Sequence, residues 1–229
     1  MPVFRLPDDL LFPSPELAEP DGLLAIGGDL SPERIIMAYA SGIFPWYSEG
    51  EPLLWWSPAP RLVLFPKDFH LPRRLKRTIN QNKFRITADT AFEKVISACA
   101  QTATRKDKGT WITTEMQQAY IRLHYLGFAH SIECWYNDEL AGGLYGICLD
   151  NVFFGESMFT KVTDGSKVAL ATLIKSAKDL GIKLIDCQMT TDHLLSFGAK
   201  EISRDLFLEK LDEYVTACAP QKKWRLLNR

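Results

Sequence analysis

The amino-acid sequence predicts an α+β or mixed α/β protein in which a small N-terminal domain precedes a larger one. Three observations support this class. Apolar strands follow one another through short turns over residues 129–159, amphipathic helices flank them, and another apolar strand follows a helix near residue 184. The first sixty residues differ from the rest because they are rich in proline and aromatic residues. We therefore predict domains at residues 1–62 and 63–229.

The N-terminal domain contains one clear helix signal. Ser31 can cap a helix that starts at Pro32, and Gly42 is expected to end it. The following segment reads GIFPWYSEGEPLLWWSPAPR. Proline restricts this backbone, so the segment predicts a rigid aromatic platform formed by Trp46, Tyr47, Trp55 and Trp56.

A strand over RLVLF (61–65) opens the larger domain, and a strongly basic stretch follows at residues 71–86. This stretch carries six Lys and Arg residues and no acid, although the whole chain has a net charge of −1. Two helices are expected next. One follows Asp89 as its N-cap, and the other ends at Gly127.

Three strands at 129–136, 140–149 and 152–159 predict an antiparallel meander. A helix that begins near Ser166 and stops at Gly181 should lead into a buried strand at 182–188, and a helix over 204–219 closes the domain. Glycines inside the meander strands indicate bulges or the close approach of another backbone, such as a peptide or ligand. They are Gly142, Gly143, Gly146 and Gly155.

The composition limits the possible classes. With 46% apolar residues the chain can bury a sizeable core, and its five cysteines include no CxxC pair, so we expect neither a disulfide framework nor a zinc site. The first residues lack the features of a signal peptide, and no run of about 18 apolar residues occurs. These observations predict a soluble cytoplasmic protein without membrane association.

The segment LIDCQMTTDHL (184–194) concentrates polar groups at the end of a strand. Strand alternation predicts that Asp186 and Gln188 share one face while Cys187 points to the other. We interpret Cys187 as a small buried residue rather than a nucleophile paired with His193.

The same alternation predicts that Glu156 shares a face with Phe154 and Met158. Glu156 is then either a strand-end carboxylate bonded to neighbouring backbone or a counter-charge for a cationic ligand.

The basic stretch alone would indicate a solvated face, but together with the aromatic platform it favours a nucleic-acid partner. Lys and Arg bind phosphates without reading sequence, and exposed aromatic rings stack on bases. Trp111, in the segment GTWIT, either extends this platform or packs in the core.

Several segments resemble the leucyl/phenylalanyl-tRNA–protein transferases, and the resemblance extends from about Phe12 to Phe207. They are EPDGLLAIGGDLSPERIIMAYASGIFPWYSEGEPLLWWSPAPR, GTWIT, AHSIECW, GGLYG, FFGESMF and LIDCQ followed by DHLLSFGA. The resemblance implies transfer of leucine, phenylalanine or sometimes methionine from aminoacyl-tRNA to an N-terminal Arg or Lys, which marks the acceptor protein for N-degron-dependent degradation. It also implies a GNAT-like catalytic domain and neither a metal nor an organic cofactor. Because the sequence shows no coiled coil and no apolar stripe typical of a dimer, we expect a monomer.

The resemblance also implies roles for single residues. The catalytic pair corresponds to Asp186 and Gln188, and the acceptor N-terminus is bound at Glu156. The residues that match the positions binding the aminoacyl-adenosine end of the tRNA are Trp46, Trp111 and Tyr120. The aminoacyl side-chain pocket corresponds to Leu144, Phe153, Met158, Leu173 and Ile185. The residues that match the family's tRNA phosphate-binding positions are Arg73, Arg74, Lys76 and Arg77.

We hypothesise that the side-chain carbonyl of Gln188 accepts a hydrogen bond from the attacking amine while Asp186 orients the Gln188 amide. Two alternatives stay open. One is an acyl-CoA-dependent N-acetyltransferase, although the Gly-rich loop that would bind pyrophosphate is missing before the helix at Ser166. The other is a non-enzymatic RNA-binding module, which would need the basic stretch and the Trp platform but not Glu156, Asp186 and Gln188.

Overall fold

The structure, a computed structural model, describes residues 3–102 and 111–226. Seven α-helices occur in these ranges: α1 (Pro32–Ala40), α2 (Arg73–Asn80), α3 (Phe92–Ala100), α4 (Thr114–Leu126), α5 (Gly165–Ser176), α6 (Asp192–Leu195) and α7 (Arg204–Tyr214). The strands of these ranges are β1 (Phe4–Leu6), β2 (Leu23–Gly27), β3 (Phe44–Pro45), β4 (Leu54–Trp56), β5 (Arg61–Leu64), β6 (Arg85–Ala88), β7 (Ala129–Tyr136), β8 (Glu139–Leu149), β9 (Val152–Thr160), β10 (Leu184–Gln188) and β11 (Lys200–Ile202).

The described strands form two sheets. The small sheet has the order β1-β2-β4-β3 and the large sheet the order β11-β5-β10-β9-β8-β7-β6. In the large sheet, β9 and β10 pair in parallel, whereas the other neighbours are antiparallel. The parallel pair arises because α5 connects β9 to β10 as a crossover. This mixed sheet with flanking helices confirms the predicted α+β class.

The meander prediction is confirmed because its signals are local. The strands β7, β8 and β9 pair antiparallel in sequence order, and their connecting turns place Asn137, Asp138 and Asp150 at positive φ. Asn and Asp tolerate this left-handed conformation better than most residues.

Helix α1 also follows its sequence signals, since the Ser31 side chain accepts a hydrogen bond from the Arg34 N–H and Gly42 has φ 74°.

Two apolar clusters cover the two faces of the large sheet. One contains Tyr145, Ile147 and Phe154 and continues into the small sheet through Tyr39 and Trp55. The other cluster lies on the opposite face, against α5, and includes Leu62, Leu144, Phe153, Leu173 and Ile185. Because one core joins the two sheets, the division at residue 62 stays a prediction.

Several sequence predictions about elements were wrong in detail. The N-cap of α3 is Ala91, because the Asp89 carboxylate instead accepts hydrogen bonds from the backbone N–H groups of Ser131 and Trp224. Helix α5 ends at Ser176 rather than at Gly181, and α7 ends at Tyr214 rather than near residue 219.

The strands of the small sheet were largely missed, because they are two to five residues long and pair with distant segments.

Within residues 3–102 and 111–226, no helix has both the length and the apolar character needed to cross a membrane.

Candidate active site

A cavity of about 460 Å³ opens where the small sheet meets the centre of the large one. Its wall combines residues from β3, β8, β9, β10 and α5. The sequence-predicted site residues that line it are Trp46, Trp111, Leu144, Phe153, Glu156, Met158, Ile185, Asp186 and Gln188. Residues that are up to 142 positions apart in the chain, from Trp46 to Gln188, therefore meet around one space of a size typical for small ligands.

Glu156 is the centre of a buried hydrogen-bond network. Its Oε1 accepts hydrogen bonds from the Tyr39 hydroxyl at 2.6 Å and from the Gln188 side-chain amide at 3.0 Å, and its Oε2 accepts one from the Tyr120 hydroxyl at 3.1 Å. The hydroxyl oxygens of Tyr39 and Tyr120 also lie within 2.5 Å of each other, so the two hydroxyls and the carboxylate form one compact cluster. Both hydroxyls are fully buried, so the carboxylate has fixed partners rather than water.

Burial dominates the electrostatics of this network. Loss of water raises the pKa of Glu156 to about 7, although the hydrogen bonds from Tyr39 and Tyr120 act in the opposite direction and the charge of Asp186 adds to the rise. Burial, together with the nearby charge of Glu156, also raises the pKa of Tyr39 and Tyr120 well above the usual value. Glu156 therefore titrates near neutral pH while both tyrosines stay protonated donors.

A β-bulge in β9 brings Glu156 to the cavity. Tyr145 pairs with Ser157 and Gly146 pairs with Gly155, which leaves Glu156 as the extra residue. The bulge reverses the alternation, so that Phe153 and Met158 pack in one cluster and Phe154 in the other. The predicted shared face with Met158 was wrong for this reason. Glu156 and Phe154 do lie on one face, since Tyr39 contacts both of them.

Close contacts with neighbouring atoms explain why glycine occurs at two positions near the bulge. A Cβ atom on Gly146 would lie 2.1 Å from the Phe154 carbonyl oxygen and 2.6 Å from the Phe153 ring, so only glycine fits there. A Cβ on Gly142 would lie 2.6 Å from the backbone of Gly165, at the start of α5. The predicted close approach of another backbone is confirmed at Gly142, but the backbone belongs to this chain.

Asp186 forms a buried ion pair with Arg61. Two hydrogen bonds of 2.9 and 2.7 Å join the Arg61 guanidinium to the two carboxylate oxygens, and both residues are 0% exposed. The guanidinium also lies 4.8 Å from the Phe44 ring centre and 4.6 Å from that of Phe207. Asp186 is therefore a paired, positioned carboxylate rather than a free base.

The link between Asp186 and Gln188 differs from the predicted one. Asp186 accepts a hydrogen bond from the backbone N–H of Gln188 at 2.9 Å, whereas Glu156 accepts the hydrogen bond from the Gln188 side-chain amide. Gln188 has φ 61°, and the pairing of β10 with β5 shifts register between Asp186 and Gln188. Asp186 thus holds the backbone turn and Glu156 orients the amide.

Cys187 and His193 both line the cavity, which residues of both clusters surround. Cys187 packs against the cluster on the α5 face, as Ile185 does. Asp186 bonds to Arg61, which lies over the Phe44 and Phe207 rings of the opposite cluster. The predicted alternation of Asp186 and Cys187 therefore fits. Burial and the charge of Asp186 raise the pKa of Cys187, so it remains a neutral thiol and the interpretation of a non-nucleophilic cysteine fits. Burial and the charge of Lys167 lower the pKa of His193, which keeps the imidazole neutral at pH 7.

Two of the predicted site residues do not line the cavity. Tyr120 is 0% exposed, and its hydroxyl donates a hydrogen bond to the Glu156 carboxylate. Leu173 is fully buried in the cluster under the cavity, and Leu170 lines the wall instead. The two leucines are one turn apart on α5, where spacing alone cannot show which one reaches a cavity.

The aromatic platform is only partly exposed. Trp46 is 36% exposed and lines the cavity, and its carbonyl oxygen accepts a hydrogen bond from the Trp56 indole at 2.7 Å. Trp55 is fully buried, and its indole N–H donates to the Gly27 carbonyl. Trp111 lines the cavity too, whereas Gly109 and Thr110 of the same motif lie outside the described residues.

The four predicted phosphate-binding residues lie outside the cavity, on α2. Leu75 is 3% exposed and anchors the helix, and the Thr78 hydroxyl donates to the Asp164 carboxylate at 3.0 Å. The remaining surface of α2 exposes Arg73, Arg74, Lys76 and Arg77. These cations form a basic ridge on the helix that packs against α5.

The N-terminus of α5 is poorly suited to bind an anion. The Thr160 hydroxyl oxygen accepts the hydrogen bond from the Ser166 backbone N–H at 2.9 Å, and the Asp164 carboxylate lies at the same helix end. The close contact between Gly142 and Gly165 fills the space in front of the first turn. A helix terminus that binds phosphate needs free N–H groups and no competing carboxylate.

Sequence reasoning missed several cavity residues and partners. Arg61 and Tyr39 were missed because their partners, Asp186 and Glu156, are 125 and 117 residues away along the chain. The remaining lining residues that were not predicted are Phe44, Pro45, Tyr145, Gly155, Ser157, Leu170, Met189, Thr191 and Leu194. Only the polar, glycine-rich character of their segments pointed toward this region.

Comparisons with known proteins place nearly the whole chain in one family. Residues 63–212 match the family model for leucyl/phenylalanyl-tRNA protein transferase, and residues 28–59 match the model for the N-terminal domain of the same family. The chain is similar to the leucyl/phenylalanyl-tRNA–protein transferase of Anaeromyxobacter sp. (strain K), with 53% identity over 99% of this chain and 97% of that protein. The protein of the same name from Syntrophobacter fumaroxidans is 54% identical over 98% of this chain and 96% of its own length.

Similar solved structures include a GCN5-related N-acetyltransferase from Kribbella flavida, with a TM-score of 0.36 and 10% identity over 75% of this chain and 61% of that chain. The structure of L-PGS from Bacillus licheniformis has a TM-score of 0.42 and 10% identity over 74% of this chain and 53% of that chain.

Proposed function

The chain belongs to the leucyl/phenylalanyl-tRNA–protein transferase family, and from this premise we propose that its cavity transfers an aminoacyl group from tRNA to the N-terminal Arg or Lys of an acceptor protein. The transferred group is leucyl or phenylalanyl, with methionyl as a further substrate. The modified protein then enters N-degron-dependent degradation. The proposal includes action as a monomer in the cytoplasm, where charged tRNA and acceptor proteins meet, without a metal or organic cofactor.

The reaction is the aminolysis of an ester. The α-amine of the acceptor forms a bond to the aminoacyl carbonyl carbon, the bond from that carbon to the ribose 3′ oxygen breaks, and the amine proton passes to the ribose oxygen. An α-amine has a pKa of about 7.7–8.0, so a useful neutral fraction exists near pH 7. Because the ester is already activated, alignment of amine and carbonyl is the main requirement.

The observation that carries the proposal is the fixed amide of Gln188 on the cavity wall. Glu156 accepts a hydrogen bond from the amide nitrogen, so the carbonyl oxygen of the same amide is the group that can accept a hydrogen bond from an amine. The negative charge of Glu156 favours a cationic acceptor terminus nearby. Apolar walls at Leu144, Phe153 and Met158 accommodate the aminoacyl side chain.

Transfer from acyl-CoA is disfavoured by the start of α5. A pyrophosphate at this helix end would meet the Asp164 carboxylate and would find the Ser166 N–H already bonded to Thr160. An RNA-binding module is disfavoured for a different reason. It has no use for a buried carboxylate and a buried ion pair beside a cavity, which are costly to desolvate.

The deciding experiment mixes the protein with labelled leucyl-tRNA and peptides that begin with Arg, Lys or Ala. We expect label transfer to the Arg and Lys peptides and little to the Ala peptide. Label in none of the peptides would contradict the proposal. In a separate thermal-melting measurement, acetyl-CoA should not raise the melting temperature of the protein.

The Gln188→Ala variant tests the role of the carbonyl oxygen. We expect its single-turnover transfer rate to fall about 10²-fold or more, because the amine loses its hydrogen-bond acceptor. Gln188→Glu serves as the comparison, since it keeps an acceptor oxygen but places a second carboxylate beside Glu156. An unchanged rate in the alanine variant would leave positioning alone as the source of catalysis.

A further inference from the structure

The segment that follows α7 has no regular secondary structure over residues 215–226, yet it is fixed along its length. The Asp150 carboxylate accepts hydrogen bonds from the backbone N–H groups of Thr216, Ala217, Cys218 and Ala219, at 2.7 to 3.4 Å. Further along, the Gln221 N–H donates to the Gly127 carbonyl at 2.7 Å. This C-terminal strap, residues 215–226, lies outside the 63–212 range matched by the family model.

The strap places one aromatic ring inside the protein. Trp224 is 5% exposed, and its backbone N–H donates to the Asp89 carboxylate at 2.7 Å. Its ring stacks on His130 with centroids 4.3 Å apart and an interplanar angle of 2°. The Nδ1 atom of His130 lies 2.8 Å from the same Asp89 carboxylate, so the ring and its stacking partner share one anchor.

Trp224 also contacts a residue of the cavity wall. Its ring lies 5.7 Å from the Phe153 ring, centroid to centroid, at an angle of 41°. Phe153 lines the active-site cavity, whereas Trp224 lines a separate cavity of about 360 Å³ together with Thr87 and Asp89. The contact between the two rings is therefore part of the wall between two cavities.

Phe153 has little freedom on its other side. Its ring packs so close to Gly146 that an added Cβ there would lie 2.6 Å from the ring tip. The ring is consequently held between the backbone of β8 and the indole of Trp224. Its position determines how deep the aminoacyl pocket is, because an apolar pocket selects its ligand by the volume it leaves free.

We propose that Trp224 is a specificity-determining positioning residue, which acts through Phe153 to set the depth of the aminoacyl side-chain pocket. The inference rests on the proposed aminoacyl transfer. Replacement of the indole by a smaller side chain lets Phe153 move toward the second cavity and deepens the pocket. A deeper pocket favours the longer phenylalanyl group over the leucyl group.

The test compares Trp224→Leu with the matched control Trp135→Leu. Trp135, on β7, also donates its indole N–H to a neighbouring side chain, the Thr87 hydroxyl at 2.8 Å, but lies outside the active-site cavity. The measurement is kcat/KM for phenylalanyl-tRNA divided by kcat/KM for leucyl-tRNA, with one Arg-ended peptide. We expect this ratio to rise about 3- to 10-fold in Trp224→Leu and to stay at the wild-type value in the control.

Two further measurements separate the causes of failure. Trp224→Phe keeps an aromatic ring and should fold even if Trp224→Leu does not, with a smaller rise in the same ratio. In a double-mutant cycle with Phe153→Leu, the effect of Trp224→Leu on the ratio should disappear, because the residue it acts through is gone.

The inference would be overturned if a folded Trp224 variant kept the wild-type ratio of kcat/KM values, or if the effects of the Trp224 and Phe153 substitutions on this ratio were fully additive. In either case, transfer by the wild-type protein would still support the proposed function. Absence of transfer by the wild-type protein would instead contradict the proposed function itself.

Discussion

At the residue scale, the site depends on two carboxylates with different environments. Among the described residues, the donors to Glu156 are two hydroxyls and one amide, and burial raises its pKa to about 7. Asp186 is neutralised by Arg61 through two hydrogen bonds. The first carboxylate orients the side-chain amide of Gln188 and can change its charge near neutral pH, whereas the second holds the backbone at the end of β10.

The raised pKa of Glu156 predicts how stability depends on pH. Its pKa rises from 4.5 to about 7 on folding, so its contribution is complete below pH 4.5 and is lost as the pH increases through 7. The loss amounts to about 3 kcal/mol. In Glu156→Gln, urea unfolding between pH 5 and pH 8 should lack this decline relative to wild type. The exposed Glu139→Gln serves as control, and a decline that persists in Glu156→Gln would assign it to another group.

The buried ion pair predicts a different result for Asp186. Asp186→Asn leaves the Arg61 charge without a carboxylate in a 0% exposed position, which should lower the free energy of unfolding by about 3 kcal/mol. Gln188→Ala, at a partly exposed residue, should cost less than about 1 kcal/mol. Chemical denaturation measures both. Equal stability of Asp186→Asn and wild type would mean that the pair has no structural role and that Asp186 acts in the chemistry.

At the element scale, β9 and β10 show what the sequence could and could not predict. Their existence follows from apolar runs bounded by turns, and the meander boundaries agree with the sequence to within a residue. Their side-chain directions follow only in part, because the bulge at Glu156 in β9 puts Met158 on the same face as Phe153. A bulge depends on the register with the neighbouring strand, which a single segment does not contain.

The exposed cations of helix α2 predict how tRNA binding depends on salt concentration. These cations lie outside the cavity, so they should affect tRNA binding rather than the transfer step. Arg73→Ala combined with Arg77→Ala should raise KM for aminoacyl-tRNA, leave kcat unchanged, and reduce the slope of log affinity against log salt by about 1 to 2.

The control for this pair is Arg85→Ala. Arg85 belongs to the same basic stretch but lies on β6, where it pairs with Asp138 of the turn between β7 and β8. If Arg85→Ala weakened tRNA binding as strongly as the α2 variants, the basic ridge would have no special role.

At the scale of the whole molecule, the active site belongs to neither sheet alone. The small sheet and its helix supply Trp46 and Tyr39, and the large sheet supplies Glu156 and Gln188. Through a family resemblance the sequence predicted nine of the residues that line the cavity, and the structure brings those nine together. Arg61, Tyr39 and Trp224 escaped prediction, because each acts through a residue far away in the chain rather than through a local motif.

The two long-range links, from Tyr39 to Glu156 and from Arg61 to Asp186, overlap along the chain. A cut anywhere between residues 61 and 156 would therefore put the two partners of each link on different fragments. Neither fragment would contain a complete hydrogen-bond network at Glu156. Transfer activity recovered from such a mixture would thus report reassociation of the fragments, which makes this enzyme a natural starting point for a split reporter.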